Sequence, residues 1–410
     1  MCGYKQLAAC SLVCKSWTLP AQLRMLHSSK LYRASQARSF ISYLQCTGSA
    51  GNAVQYLELG RNSGERKDYI SLSRWHIFEI LRRCHRIRSL TLLQWRPDDV
   101  HSSMKSRSQF LPPISLDVLS HHDPFERLTS LRLHQYVGSF RKLVELLLLT
   151  THLESFSFEG KTTSLDEVVL SSLPSPKFKL QRLSVAGYDG GFLDGIAWIL
   201  SSSWRTLRRI DLGSMPGPIE PELLIGLRQQ TNAITSLSLT LCQHTNIPTI
   251  IQCCPRLKEL RIDGTFPELP IPNPSTPFSL RRCLLAVSTP SLTSLNLVFI
   301  GELSSDPALF ANKRRVRLGR SPSAREVAKL IQDLDSIEVL SNLRSLTLEF
   351  NTNLAYYDAP ISQFRSLRNY CSSHGIAVII PDLCELVMGG RPSSNVEERR
   401  RRNRLFNIRV

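Results

Sequence analysis

The side chains best suited to chemistry are few and scattered in this sequence. Cys242, His244, Cys253 and Cys254 bring thiol and imidazole groups into one stretch, and these are the ligand types of a zinc centre. Their spacing matches no standard finger, and cysteine is among the most readily buried residues, so core packing is the expected use. The pairs His121-His122 and Asp98-Asp99 have acid–base chemistry to offer, yet both fall in a proline-punctuated stretch with no companion base or metal motif. GYDGG (187–191) lacks the lysine of a phosphate-binding loop, and a turn suffices to explain it. No GxGxxG, Walker A, HExxH or GxSxG pattern occurs. The sequence therefore points away from catalysis and implies neither a cofactor nor a metal. What remains is a group of charged residues, Arg182, Arg209, Asp211, Glu259, Arg261 and Asp263, whose chemistry is recognition and whose positions repeat.

The element that must position them is a six-residue phrase: LESFSF (153–158), LQRLSV (180–185), LRRIDL (207–212), ITSLSL (234–239) and LKELRI (257–262). Its starts are separated by 27, 27, 27 and 23 residues. Apolar residues stand at positions one, four and six, so four and six project from one face of an extended backbone. Further copies read VQYLEL (54–59), IRSLTL (87–92), LTSLRL (128–133), LTSLNL (292–297) and LRSLTL (343–348), and nine of the ten have polar residues at all three intervening positions. An interval near 27 residues holds a strand, a turn and a short helix but no independent domain, so the unit must stack on copies of itself. Helix signals precede several strands: Ser164 with Glu167, and Ser323 with Glu326, have capping-box spacing, and Pro221 and Pro322 suit a first turn.

On these phrases the chain resembles a leucine-rich repeat protein over roughly residues 50–350. The resemblance implies an α/β solenoid, a horseshoe with a parallel sheet. The family's asparagine or cysteine three residues after the last strand leucine is present at Cys242 and Asn351. Trp95, Tyr136, Lys161, Tyr188, Met215, Thr265 and Ile300 stand there instead, so an irregular horseshoe is expected. In such a sheet, positions three, five and seven face away from the core and line the concave surface. On the outer repeats they are small, as at Ser89, Thr91, Ser130, Ser155, Ser157, Ser236, Ser238, Ser294, Ser345 and Thr347. The six charged residues named above put both signs on the central rungs and are the expected target-binding set, suited to a polar protein segment.

The second informative stretch is LAACSLVCKSWTLPAQLRMLHSSKLY (7–32). Ala9, Leu12, Val13, Ser16 and Trp17 follow helical spacing, and Pro20 can open a second short helix bearing Leu23 and Leu26. This stretch resembles the C-terminal half of an F-box, whose hallmark helix ends in Cys-Arg/Lys-x-Trp, here Cys14-Lys15-Ser16-Trp17. The family's opening Leu-Pro and first helix have no counterpart, so the F-box is either truncated or degenerate. The resemblance implies that the chain is a substrate-recognition subunit of a cullin-RING ubiquitin ligase. Leu12, Val13, Cys14 and Trp17 would then contact the adaptor subunit, with Leu12, Val13 and Trp17 also packing against the solenoid, and an unidentified protein substrate would lie on the repeats. Two other readings stay open: a freestanding repeat scaffold for which 7–31 is only a cap, and a nucleic-acid-associated protein acting through a basic tail.

Composition decides among partner classes. The net charge of +17 is concentrated in 24–38, 61–88, 313–325 and 391–410, leaving the rest of the chain slightly acidic. That distribution argues against nucleic acid. No apolar run is long enough to span a bilayer, so no membrane partner is expected; KLVELLLLT (142–150) reads as a buried helix. The start mimics a signal peptide but ends at Lys15-Ser16-Trp17. Eleven cysteines without a CxxC pair, and no Asn-x-Ser/Thr sequon, fit a reduced cytoplasmic or nuclear compartment.

The expected layout is F-box-like helices over 1–32, the solenoid over 33–388 and a basic, disordered tail over 389–410. Insertions near 96–126, 264–280 and 301–321 interrupt the solenoid, the second rich in proline and the third carrying KRRVRLGR (313–320). Residues 69–86 predict a helix whose Ile70, Trp75, Ile77, Phe78, Ile80 and Leu81 all enter the core. ISQFRSLRNYCSSHG (361–375) predicts a helix stopped by Gly375, followed by a strand over 376–380 that closes the C-terminal end.

Overall fold

A computed structural model describes residues 6, 9, 12–48, 50–60, 72, 74–95, 125–163, 174–186, 190–213, 233–240, 247–264, 291–299, 342–350 and 361–379. The protein is α/β, with twelve strands and seven α-helices among those residues, and the strand pairings are parallel with neighbours following sequence order. Two compact units divide it, the first built mainly from Met1–Leu257 and the second from residues 258–285 and 290–410.

The first unit holds β1 (Ser28–Leu31), β2 (Tyr56–Gly60), β3 (Ser89–Leu93), β4 (Ser130–Ser139), β5 (Ser155–Thr163), β6 (Arg182–Ala186), β7 (Arg209–Leu212) and β8 (Ser236–Thr240). Its helices are α1 (Lys15–Leu26), α2 (Ala34–Cys46), α3 (Arg74–Arg83), α4 (Phe140–Leu148), α5 (Gly190–Leu200) and α6 (Ile247–Gln252). The second unit holds β9 (Glu259–Gly264), β10 (Ser294–Phe299), β11 (Ser345–Phe350), β12 (Ala377–Ile379) and α7 (Ile361–Ser373).

All ten phrases become strands, and each strand begins at position three of its phrase. Positions one, four and six are buried in every copy, as in Leu153, Phe156 and Phe158 or Leu292, Leu295 and Leu297. Each such side chain contributes about 1.5–3 kcal/mol of burial. Position two has a backbone role. Its carbonyl accepts the N–H groups of positions two and three of the next strand, so Arg208 and Arg209 both donate to Gln181, and Thr235 and Ser236 both donate to Arg208. The same pairing runs from His27 through Gln55, Arg88, Thr129 and Glu154, and in the second unit from Lys258 through Thr293. Where position two is threonine, at Thr129, Thr235 and Thr293, its hydroxyl donates to that same carbonyl.

Helices close the buried side of the sheet. Ser139 caps α4 by accepting from the Lys142 N–H, and Phe140, Leu143, Val144 and Leu147 form its buried stripe, as expected for 142–150. In α2, Ala34, Ala37, Phe40, Ile41 and Leu44 are buried at helical spacing. The Gln36 side chain accepts from the N–H groups of Tyr32 and Arg33, tightening its entry. Gly375 ends α7 in the left-handed region at φ 71°, with Ile376 N–H donating to Cys371 and Gly375 N–H to Ser372. β12 follows, as predicted.

Three expectations are corrected. Residues 28–31 form a strand rather than the tail of a helix, because Ser29 and Leu31 alternate into the core and the segment pairs with β2. A single helix, α1, runs through Pro20, which costs it one backbone donor instead of starting a second helix. Trp75 lies 54% exposed, whereas Ile77, Ile80 and Leu81 are buried. It sits on the solvent stripe of α3, and a ten-residue helix has too narrow an inward face to take every apolar side chain. The predicted capping pairs at 164–167 and 323–326, the helix starts at Pro221 and Pro322, the insertions beyond their edges and the basic tail lie outside the described residues.

Candidate interaction surfaces

Two surfaces collect the residues singled out by the sequence. At the N-terminal end, Leu12, Val13, Trp17 and Leu19 are exposed by 86%, 68%, 55% and 56%. The expectation that Leu12, Val13 and Trp17 pack against the repeats is therefore corrected: the contact surface of α1 is carried by buried Ala21 and by Gln22, which accepts a hydrogen bond from the Tyr43 hydroxyl of α2. Cys14 is also exposed, with its sulfur 3.0 Å from the Ser16 hydroxyl. That contact, with the Trp17 N–H beside it, lowers the thiol's pKa from its ordinary value. Leu12 and Val13 precede the extended Cys14 and Trp17 and Leu19 follow it on α1, and apolar groups grouped in water this way mark a surface that something covers.

The second surface is the sheet face opposite the core, and it is not uniform. In the first unit, Lys30 and the Tyr32 hydroxyl converge on Glu58 at 2.9 and 2.5 Å. His134 and Glu159, register partners on β4 and β5, lie 2.5 Å apart. Arg182 and Arg209 are also register partners, on β6 and β7, and both are exposed. Asp211 stands half-buried opposite Ser184.

In the second unit the predicted residues are engaged with one another. Arg261 reaches Asp263 at 2.7 Å through Nε and spans β10 to hold both carboxylate oxygens of Glu349, at 3.1 and 3.3 Å. Asn296, on the strand between, donates to the same carboxylate at 2.9 Å. Burial works against the charged guanidinium, but the carboxylates of Asp263 and Glu349 outweigh it and hold the pKa of Arg261 above its ordinary value. Glu259, at position three of β9, is exposed. Of the expected target-binding set, then, Arg182, Arg209 and Glu259 face solvent, while Arg261 and Asp263 belong to an internal network.

Sequence reasoning passed over Glu58, Arg132, His134, Glu159 and Glu349. The signal was there, since each stands at position five or seven of its phrase. The strand ends hold another departure. Gln94 and Gln135 take left-handed backbone at φ 54° and 55°, their side chains are joined at 2.9 Å, and the β4–β5 register slips by one residue between His134 and Tyr136. The bulge turns Trp95 and Tyr136 into the core, where Trp95, Tyr136 and Phe158 stack at 5.5 and 5.4 Å between ring centroids. Aromatic packing thus fills the positions three residues past the last strand leucine at β3 and β4.

Cys253 and Cys254 are buried, and burial pushes the Cys254 thiol up to about 12; Cys242 and His244 lie outside the described residues. Among the described residues no cluster of three or more potential metal ligands occurs, and no helix is long and apolar enough to cross a membrane. No protein-family model matches the chain, and no curated protein matches it.

Proposed function

We propose that the chain is an irregular leucine-rich-repeat solenoid preceded by an F-box remnant, acting as a protein-interaction module: the substrate-recognition subunit of a cullin-RING ubiquitin ligase. The observation that carries this reading is the group of exposed apolar side chains Leu12, Val13 and Trp17, in the segment that resembles the F-box helix, at the start of α1, which packs on the repeats through Ala21 and Gln22. An adaptor subunit would cover those side chains, and the open face of the sheet would take the target. Large exposed aromatics at the centre of a protein interface typically carry about 2 kcal/mol or more. Trp17→Ala should therefore reduce co-purification with the ligase adaptor by more than tenfold while leaving thermal stability unchanged, because the side chain is more than half exposed. Capture of the adaptor unaffected by that substitution would refute the assignment.

One observation favours a second reading. α1 packs on β1 and on the short 3-10 turn at Ala50–Ala53, so it also serves as a cap for the first strand. A freestanding repeat scaffold would need α1 for this alone. Failure of the purified full chain to bind the adaptor, with target capture intact, would select it.

A further inference from the structure

Position three of the phrase is serine on β3, β4, β5 and β8 but arginine on the neighbouring strands β6 and β7. The register sets Arg182 directly beside Arg209, on backbones about 4.8 Å apart. Like charges so opposed destabilise a sheet. Neither guanidinium has a hydrogen-bond or ion-pair partner among the described residues. Nothing in the fold asks for the pair, because serine serves the same position elsewhere. An anion seated across such a doublet would relieve the repulsion.

The surroundings specify what kind of anion. Ser155 and Ser236 flank the pair in register, and Ser184 and Ser157 stand at position five of β6 and β5. These short hydroxyl side chains leave room for an extended backbone to approach and offer it hydrogen bonds. Arg132, at position five of β4, supplies a third cation with no partner among the described residues. Glu159 and Asp211 interrupt the positive field on β5 and β7, which disfavours a continuous polyanion that needs neutralisation at every phosphate. We infer that Arg182 and Arg209 clamp one anionic group, a carboxylate or a phosphate, borne by an extended acidic protein segment lying on the β5–β8 face. This inference rests on the reading of that face as the target surface, and gives the target its chemistry.

The test uses the full chain and fluorescein-labelled peptides of one Gly-Ser frame carrying Glu-Glu, phosphoserine or Gln-Gln at the centre, with an oligothymidylate as the competing polyanion. Anisotropy should show binding of the glutamate or phosphoserine peptide and none of the glutamine peptide, and the stronger of the two identifies the group. Arg182→Gln or Arg209→Gln should each weaken binding about tenfold, as for loss of a hydrogen bond to a charged group. Arg205→Gln, in the turn before β7, should leave it unchanged. Equal binding of the glutamine peptide, indifference to both arginines, or tighter binding of the oligothymidylate would each overturn the clamp. The two levels separate in co-purification: a partner set unchanged in Arg182→Gln/Arg209→Gln but lost in Ser184→Trp overturns the clamp and retains the face as the target surface. A set unchanged in all three overturns both.

Discussion

Arg261 was expected on the recognition surface, where it is engaged with Asp263 and Glu349, and a double-mutant cycle with Glu349 measures how far that engagement commits it to the fold. The guanidinium makes two charge-assisted bonds to Glu349 and one to Asp263, and the two side chains retain 28% and 18% of their exposure. Fully buried, such a pair costs about 3–5 kcal/mol to break. Residual solvent screening lowers that, so Arg261→Met should cost about 2 kcal/mol, mostly from leaving two carboxylates facing each other without a cation. Glu349→Gln keeps the acceptor for Asn296 but not the charge, and should cost about 1–2 kcal/mol. The double variant should cost no more than the worse single one, giving a coupling of about 1–2 kcal/mol from urea unfolding at neutral pH. Because the pair is half-shielded, that coupling should change little with added salt. Additive costs, with a coupling below about 0.3 kcal/mol, would mean that Arg261 is not committed to Glu349 and would return it to the set available to a target.

Other expectations are read in the same way. Gly160→Ala should destabilise the first unit by about 2 kcal/mol or more in thermal or urea unfolding, because a Cβ there would overlap the Tyr136 backbone at the β4 bulge, which cannot move aside. Arg182→Ser should leave stability unchanged or raise it by about 0.2–1 kcal/mol, since it removes a like-charge pair; a clear loss would show that the arginine holds the fold. Burial pushes Cys84 and Cys254 to about 12 and Cys371 to about 11, above the ordinary 9.0, whereas Cys14 is exposed and lowered. The stability that the buried thiols contribute should be intact below pH 9.0 and fall as pH rises through about 11–12. Iodoacetamide at pH 8 should label Cys14 well before those three, and mass spectrometry of the modified peptides checks the order.

The strands were legible because their code is local. Three apolar positions with polar filling specify a face, and the interval between copies specifies stacking, so Leu346 and Leu348 could be placed as securely as Phe156 and Phe158. β1 escaped because SSKL is too short to carry the phrase and its pairing with β2 is a tertiary fact. Trp75 was misplaced because composition marks a helix as amphipathic without fixing how wide its buried stripe will be. The charged rungs were found as a set but not sorted. Arg209 and Arg261 stand at neighbouring alternate positions of similar phrases, and only the register reveals that one faces another arginine and the other reaches a glutamate 88 residues away.

The backbone ladder explains how the repeat tolerates the loss of the side-chain ladder usual in regular members of the family it resembles. From His27 through Arg208 in the first unit, and at Lys258 and Thr293 in the second, a position-two carbonyl holds two N–H groups of the next strand, so the starts of those strands are fixed by main-chain atoms. Position two is then free to vary, and it does, through Gln55, Arg88, Glu154, Gln181, Arg208 and Lys258. The far ends of the strands have no such fixed device, and there the solutions differ: a glutamine pair and aromatic stack at β3–β5, and a charged network around Glu349 at β9–β11. Variation thus falls at the far strand ends and at positions two, three, five and seven, while positions one, four and six carry the core. A sheet organised in this way can change what its open face presents, a serine row in one repeat and an arginine pair in the next, without disturbing the register that holds those side chains in place.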